Sequence, residues 1–316
     1  MARRTPLRAG RDLCEITASM GSHVLPPQSA TPTRSTEPLR LKIEAIEARA
    51  RPKALAVALR DLGTGLTFAH HADRWFHAAS TIKVAILLGV YASIHHGWLL
   101  AHSRLHVRNR FLSAVDGQPF RVLADRDANS EVHDAVGKMM RISDLALHMI
   151  ATSSNLATNL LLDLVGLATV QRALDELGID GIDIRRGVED ERAFEHGINN
   201  RVTADGLVQL LRLIAEERAF SPELSREMLG ILHRQEFRNG IPARLPAAVR
   251  VAHKTGEIST VAHDAGVVYP PGRKPYVIAV LTEWAPDASG RSATIAEVSH
   301  SVYEALAGAD AGAPRG

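Results

Sequence analysis

The hydrophobic and polar positions of this chain follow two periods in turn, and their order predicts the fold. Regions 39–50 and 291–307 carry apolar residues at helical spacing, and residues 104–245 follow a helical period almost throughout. The other apolar runs are short, rich in β-branched residues and bounded by turn residues, which is typical of strands. These strand-like runs cover residues 54–60, 66–70, 249–253, 265–269 and 276–282.

This order of elements predicts an α/β fold combined with an all-α region. The simplest closure is a five-stranded antiparallel sheet, with the N- and C-terminal helices packed on one face and an all-helical domain inserted between its second and third strands. We therefore predict one α/β sub-domain from residues 38–103 and 246–310, and an all-α sub-domain from residues 104–245. The basic, proline-rich residues 1–37 are predicted to form a disordered arm.

Turn and capping residues predict several element boundaries. Glycine-bearing turns at 61–65 and 269–272 predict hairpins of the first two and the last two strands. Ser143 and Thr203 each precede an apolar helical stripe, which is the usual place of an N-cap. Ser221 is followed by proline and glutamate, the order expected of a cap and a first helical turn.

The bulk composition describes an ordinary globular protein. The 316 residues are 46% hydrophobic and carry a formal net charge of +2, so charge alone gives no reason to expect a nucleic-acid partner. Cys14 is the single cysteine and cannot form an intrachain disulfide. Neither a signal-peptide-like run nor a membrane-spanning run is evident, so the sequence as written predicts no export, as for a cytoplasmic protein, and no membrane span, while the localisation itself stays open. We expect a monomer.

Candidate chemistry begins with the Ser-Thr-Ile-Lys sequence at residues 80–83, which opens a long apolar helix. A hydroxyl and an amine three residues apart share one helix face, so Lys83 can lie beside Ser80. A desolvated lysine can accept the proton that a serine must lose to become a nucleophile. The motif alone is more typical of a serine N-cap on a core helix whose lysine reaches solvent.

Two later motifs favour the catalytic interpretation. Ser153-Ser154-Asn155 lies where one helix is predicted to give way to the next, and such side chains compete for backbone hydrogen bonds. Lys254-Thr255-Gly256 follows the first strand after the helical region, at the predicted strand end. There the glycine lets a ligand approach the backbone, while Lys254 and Thr255 can hold a carboxylate.

In this order, the three motifs resemble those of the penicillin-recognising serine hydrolases, specifically the class A β-lactamase family. The resemblance covers nearly everything from about residue 40 to 308. It includes the flanking sequences FHAAS at 76–80, MIATSSN at 149–155, NLLL at 159–162 and HKTGE at 253–257. It implies a β-lactamase/transpeptidase-like fold and hydrolysis of a cyclic amide through an acyl-enzyme, without a metal or other cofactor.

The resemblance also implies roles for individual residues. Ser80 would be the nucleophile, Lys83 the amine that activates it, and Ser153 the group that passes a proton to the leaving nitrogen. The substrate would be a small molecule, a β-lactam or a compound resembling a cell-wall peptide. Its binding residues would be Asn155 for the side-chain amide, Lys254 and Thr255 for the carboxylate, Gly256 for the close approach of the ligand, and the backbone N–H groups of Ser80 and Glu257 for the oxyanion.

Two departures from the family pattern leave the turnover step open. Ser154 stands where the family usually has aspartate, for which we expect an effect on stability. The glutamate that activates the deacylating water is best matched by Glu189, with Glu191 next, but the leucine and asparagine that should follow are absent. The other interpretation is a solvated acidic turn paired with neighbouring arginines: Arg185, Arg186 and Arg192.

Three functions therefore remain open in the sequence. The first is a β-lactamase, the second a D,D-peptidase or esterase of the same fold, and the third a β-lactam sensor that acylates without turnover. A productive Glu189 favours the first. The paired histidines at 70–71 and 95–96, with His253 and His263, lack metal-site spacing; we interpret them as surface or packing residues, with His253 bordering the pocket at most.

Overall fold

The computed structural model describes residues 35–310 of the chain. The predicted arm lies outside the described residues up to residue 34, as does Cys14. The helices are α1 Glu37–Ala50, α2 Lys83–His95, α3 Ser130–Asp134, α4 Ile142–Ala151, α5 Asn155–Val165, α6 Leu167–Glu176, α7 Glu191–Glu195, α8 Ala204–Ala215, α9 Pro222–Leu232 and α10 Arg291–Asp310. The strands are β1 Ala54–Asp61, β2 Thr67–His70, β3 Phe76–His77, β4 Arg104–His106, β5 Phe111–Leu112, β6 Pro119–Phe120, β7 Met139–Arg141, β8 Ile182–Asp183, β9 Arg201–Val202, β10 Arg250–Ile258, β11 Val261–Tyr269 and β12 Tyr276–Glu283.

The central sheet has the five antiparallel strands that the sequence predicts. Its strand order is β10–β11–β12–β1–β2, so β10 and β2 are the two edges. The predicted hairpins β1–β2 and β11–β12 are both present, and β1 pairs with β12 along its whole length. Because β1 pairs with β2 on one side and with β12 on the other, the sheet joins the segments that flank the helical region.

The two faces of the sheet differ in side-chain size, and β1 shows this most clearly. Leu55, Val57 and Leu59 pack against α1 and α10, which cover one face as predicted. The alternating positions on the other face are the alanines Ala54, Ala56 and Ala58, and they pack against the cluster of helices formed by α2, α4, α5, α8 and α9. Since burying one large aliphatic side chain contributes about 1.5–3 kcal/mol, both faces are needed to stabilise the sheet.

Cap predictions succeed at two helices and fail at one. Thr203 and Ser221 accept hydrogen bonds from the N–H groups of the third residue beyond them, as N-caps do. Helix α4 instead begins at Ile142, directly after β7, and Ser143 does not cap it. Ile142 is buried, so packing of this apolar residue starts the helix one position before the polar signal.

The strand that carries Lys254 extends beyond the apolar run from which it was predicted. We predicted that the Lys254-Thr255-Gly256 motif ends this strand, but β10 continues to Ile258. The prediction was wrong because the backbone ladder to β11 continues through these polar residues, up to the pair Ile258–Val261. Short strands also interrupt the region predicted to be helical, at β4 to β9.

The division into two sub-domains remains a prediction. Among residues 35–310, no helix combines the length and the apolar character needed to cross a membrane.

Candidate active site

Ser80 lies in a single turn of 3₁₀ helix, Ala79–Ile82, that leads directly into α2. The preceding Ala79 has a φ of 45°, in the left-handed region that a residue with a side chain rarely adopts. Its N–H donates to Nδ1 of His77 at 3.1 Å, and the Thr81 hydroxyl donates to the Ala78 carbonyl at 2.6 Å. These contacts hold the half-buried Ser80 at the edge of a cleft.

Lys83 is fully buried, with its amine at the centre of a polar cluster. Nζ lies 2.6 Å from the Ser153 carbonyl, 3.1 Å from the Ser153 hydroxyl and 2.8 Å from Oδ1 of Asn155. Burial lowers the pKa of Lys83 to about 7, although the carboxylates of Asp127 and Glu189 oppose this shift. The neutral amine is therefore well populated near neutral pH and can accept a proton.

Ser153 joins two buried amines. Its hydroxyl lies 3.1 Å from Nζ of Lys83 and 3.1 Å from Nζ of Lys254. Ser153 also has a positive φ, of 60°, at the predicted break between α4 and α5. The pKa of Lys254 is held well below its usual range by burial and by the charge of Lys83. A hydroxyl between two such amines can relay a proton.

Gly256 allows edge strand β10 to approach the Ser80 turn. A Cβ atom at this position would lie 2.9 Å from the Thr81 nitrogen and 3.0 Å from the Ser80 nitrogen, closer than side chains permit. Any other residue would push the strand and the turn apart. Thr255, Gly256 and Glu257 thereby line a cavity of about 230 Å³ together with Ser80.

Asp127, a carboxylate that the sequence analysis missed, stabilises the turn at Ser153 by accepting hydrogen bonds from the residues that follow it. Its side chain is fully buried and accepts hydrogen bonds from the Ser154 hydroxyl at 3.2 Å and from the backbone N–H groups of Asn155 and Leu156 at 3.1 and 2.9 Å. His133 Nε2 lies 3.1 Å away. This places a negative charge at the N-terminus of α5, where the helix dipole favours it.

Glu189 points into the cleft rather than into solvent. Oε1 accepts a hydrogen bond from Nδ2 of Asn155 at 3.2 Å, and Oε2 forms an ion pair with Arg126 at 3.1 Å. Burial raises its pKa, while Arg126 and Lys83 act in the opposite direction. The interpretation as a solvated turn paired with the neighbouring arginines is therefore wrong for Glu189, whose partner is Arg126 from a distant segment.

The segment that carries Glu189 is clamped on one side by an asparagine of α5. Asn159 donates from Nδ2 to the Val188 carbonyl and accepts from the Val188 N–H, both at 2.8 Å. A Cβ at Gly187 would lie 2.9 Å from Oδ1 of Asn159, so this glycine permits the close approach. Glu189 itself has a φ of 59°. The clamp thus fixes the backbone from which Glu189 reaches the cleft.

His77 and His263 are both part of the framework of the site. His263 donates from Nε2 to the His77 carbonyl at 2.9 Å and accepts the Thr282 N–H, and burial lowers its pKa to about 4. His253 does not border the cleft; it is fully buried and pairs with Asp264 at 2.9 Å. His263, which lines the cavity, is the one closer to the chemistry.

A group of possible metal ligands lies at the opposite edge of the sheet. His70 and His71, at the end of β2, place ligand atoms within 4.8 Å of one another and of Glu47 on α1. The sequence spacing of the histidines gave no sign of this because Glu47 comes from another element. Since β2 is the edge farthest from β10, the group takes no part in the cleft.

The cleft thus gathers all the residues that the sequence analysis selected for the site: Ser80, Lys83, Ser153, Asn155, Glu189, Lys254, Thr255, Gly256 and Glu257. Arg126 and Asp127 were missed. Both act on residues about 30 or more positions away, so no local pattern identifies them.

This fold and this cleft define a serine hydrolase, and comparison with known proteins agrees. The family model described as the β-lactamase enzyme family matches residues 38–306. A β-lactamase of Streptomyces fradiae is 29% identical over 290 residues, which cover 89% of this chain and 90% of that protein. The chain therefore belongs to the β-lactamase enzyme family, within class A.

Solved structures support the same assignment. The β-lactamase of Sphaerobacter thermophilus DSM 20745 matches with a TM-score of 0.72 and 28% identity, over 87% of this chain and 98% of that one. A variant of PBP-A, in an acyl-enzyme complex with penicillin G, matches with a TM-score of 0.75 and 26% identity, over 88% of this chain and 100% of that one.

Proposed function

We propose that this protein hydrolyses the β-lactam ring through a covalent ester on Ser80. The observation that carries the proposal is the proton path. Lys83, with a pKa of about 7, and Lys254 both lie 3.1 Å from the Ser153 hydroxyl, beside the serine that lines the cleft.

In the acylation step, the Ser80 oxygen attacks the ring carbonyl while its proton moves to the neutral amine of Lys83. The ring C–N bond then breaks, and the nitrogen takes a proton from the Ser153 hydroxyl, which is resupplied from the amines beside it. The backbone N–H groups of Ser80 and Glu257 would hold the oxyanion; one such donor typically contributes several kcal/mol to lowering the barrier. Thr255 and the charge of Lys254 would bind the substrate carboxylate.

Deacylation decides between a hydrolase and a protein that stays acylated. We assign this step to Glu189, because its carboxylate enters the cleft and contacts Asn155 at 3.2 Å. It would take a proton from a water molecule as the water attacks the ester. The ester C–O bond then breaks, and the proton is returned to the Ser80 oxygen. Burial raises the pKa of Glu189, which strengthens it as a base.

Time-resolved mass spectrometry of the intact protein with benzylpenicillin tests this function. We expect a transient adduct on Ser80, identified by peptide mapping, together with accumulating hydrolysed penicillin. A permanent adduct would contradict hydrolysis and point to a sensor or peptidase. The absence of any adduct would contradict the β-lactam assignment altogether.

A further inference from the structure

A second, larger cavity lies beside Ser80, next to the one lined by Thr255 and Gly256. It has a volume of about 720 Å³ and shares Ser80, Arg126, Asn155 and Glu257 with the smaller cavity. The serine therefore stands between two compartments of one cleft. A substrate bonded to Ser80 would extend one part into each compartment.

The larger cavity is lined by more negative than positive groups. Two guanidinium groups belong to Arg126 and Arg186. The carboxylates are Glu189, Asp190, Glu191, Glu195 and Glu257.

Internal ion pairs do not remove this excess of negative charge. Arg126 is shared between Glu189 and Glu191, so one cation faces two anions. Glu257 is paired with Arg291 at 2.7 Å. Glu195, which is exposed, makes no salt bridge with any residue of the described chain. The cavity therefore retains a negative field where a ligand would enter.

The same cavity presents an aromatic surface. Phe194 is 52% exposed, and its ring contacts the His77 ring in a T-shaped arrangement, 6.1 Å between centroids, and the guanidinium of Arg186 at 6.0 Å. Glu195 is the next residue in the chain. An aromatic ring next to an unpaired carboxylate favours a ligand that combines a ring with a cation.

The other compartment has the opposite preference. There Thr255 lines the cavity, and the amine of Lys254 lies behind it, 2.9 Å from the Thr255 carbonyl, where the proposed function places the carboxylate. The two compartments together fit a zwitterionic substrate, with its carboxylate at one end and an ammonium group at the other.

We propose that the cavity lined by Phe194 and Glu195 is a side-chain subsite that selects β-lactams whose acyl side chain carries an ammonium group beside an aromatic ring, and that disfavours anionic side chains. This inference rests on the proposed β-lactam hydrolysis. The inference adds the class of β-lactam that this hydrolysis would favour.

Three penicillins test the charge preference because they share a phenylacetyl-type side chain and differ at its α carbon. Ampicillin carries an amine there, benzylpenicillin a hydrogen and carbenicillin a carboxylate. We would measure kcat/KM for each at about pH 6, where an α-amino group is protonated. We expect ampicillin to exceed carbenicillin by at least roughly tenfold, with benzylpenicillin between them, and the ratio to shrink as salt screens the field.

The variant Glu195→Gln tests the residue assignment. We expect it to reduce the ratio of ampicillin to carbenicillin about threefold or more, with a smaller change in the rate with benzylpenicillin, whose α carbon carries no charge. Glu304→Gln, which removes an exposed carboxylate on α10 outside both cavities, is the matched control and should leave the ratio unchanged.

The outcomes separate this inference from the proposed function. Acylation of Ser80 by all three penicillins at equal rates would overturn the subsite and leave the hydrolase intact. A preference for carbenicillin would also overturn it. Failure of all three to acylate Ser80 would overturn the proposed function, and the subsite with it.

Discussion

The two walls of the cleft are built in different ways. On one wall, Lys83 and Lys254 are fully buried and converge on the Ser153 hydroxyl. On the other, Glu189 is half-buried and held by a single amide and a half-exposed ion pair with Arg126. The groups that we assign to acylation are therefore constrained by burial and by several elements at once, whereas the carboxylate that we assign to deacylation is held by partly exposed contacts that can rearrange.

From this difference we infer that acylation and deacylation can be altered independently by substitution. Moving a buried amine requires a change in the core, because an unpaired buried charge is costly. Moving Glu189 requires the loss of one hydrogen bond from Asn155 and of a partly exposed ion pair, and such ion pairs contribute little. Substitutions on the first wall should abolish ester formation, and those on the second should change only how long the ester lasts.

The largest effect is expected from Ser80→Ala. Removing the oxygen removes the covalent step, so no adduct should form with benzylpenicillin and hydrolysis should fall to background. Intact mass spectrometry and an absorbance assay measure both quantities. Ser292→Ala, in the same cavity, is the control and should still be acylated. An adduct on the Ser80 variant would contradict the assignment of Ser80 as the nucleophile.

The substitution Glu189→Gln should separate the two steps. The amide keeps the shape of the side chain but cannot accept a proton, so deacylation should slow by about 10²–10⁴-fold while acylation changes little. Rapid-quench mass spectrometry gives both rates. Glu191→Gln, which removes the neighbouring partner of Arg126, should leave the ester short-lived. Equal deacylation in the Glu189 variant and the wild type would exclude Glu189 as the base.

The acylation rate should depend on pH through Lys83. Its pKa of about 7 means that the amine is protonated, and unable to act as a base, below neutral pH. Acylation should therefore rise roughly tenfold per pH unit up to about pH 7 and then level off. Because Glu189 raises the pKa of Lys83, the rising limb of the plot of acylation rate against pH should move to lower pH in Glu189→Gln. A limb that stays in place would show that the two walls do not interact electrostatically.

Asp127→Ala should loosen the first wall without touching the reacting groups. The Ser154 hydroxyl and the N–H groups of Asn155 and Leu156 would lose their partly buried acceptor, and we expect a loss of about 3 kcal/mol in the free energy of unfolding, with slower acylation. Urea denaturation and adduct kinetics measure these changes. Adding Ser154→Asp to this variant supplies a carboxylate nearby and should restore part of the stability and part of the acylation rate. Wild-type stability in the single variant would remove Asp127 from this role.

The smallest effect concerns His263, whose pKa is about 4 in the folded protein and about 6.5 in an unfolded chain. Below pH 6.5 the unfolded state binds the proton and the folded state does not. The free energy of unfolding should therefore fall as the pH drops towards 4, by up to about 1.4 kcal/mol per unit from this residue. His263→Gln should flatten that slope in urea titrations. An identical slope in the variant would assign the acid sensitivity to other groups.

Periodicity predicted the sheet, both hairpins and the helices that cover one face, because these features repeat within short windows. The family resemblance, carried by three motifs in order, selected every residue to which the proposed acylation step gives a chemical role. Arg126 and Asp127 could not be predicted in this way. Their partners lie in segments that only the tertiary fold brings near, and each residue alone is an ordinary surface type.

Local patterns also failed where neighbouring structure decided the outcome. The polar Lys254-Thr255-Gly256 sequence lies inside β10 because pairing with β11 supplies the backbone hydrogen bonds that the side chains do not indicate. Glu189 could be read from sequence as a base or as part of a solvated turn. Its contact with Asn155, itself held by Lys83, supports the proposal that it is the base.

The most direct measurement is a crystal structure of the Glu189→Gln variant after reaction with benzylpenicillin. We predict continuous density from the Ser80 oxygen to the opened ring, with the ester carbonyl oxygen within hydrogen-bond distance of the backbone nitrogens of Ser80 and Glu257. The penicillin carboxylate should contact Thr255 near Lys254. An adduct on another residue, or a carbonyl oxygen that points away from those nitrogens, would contradict the account.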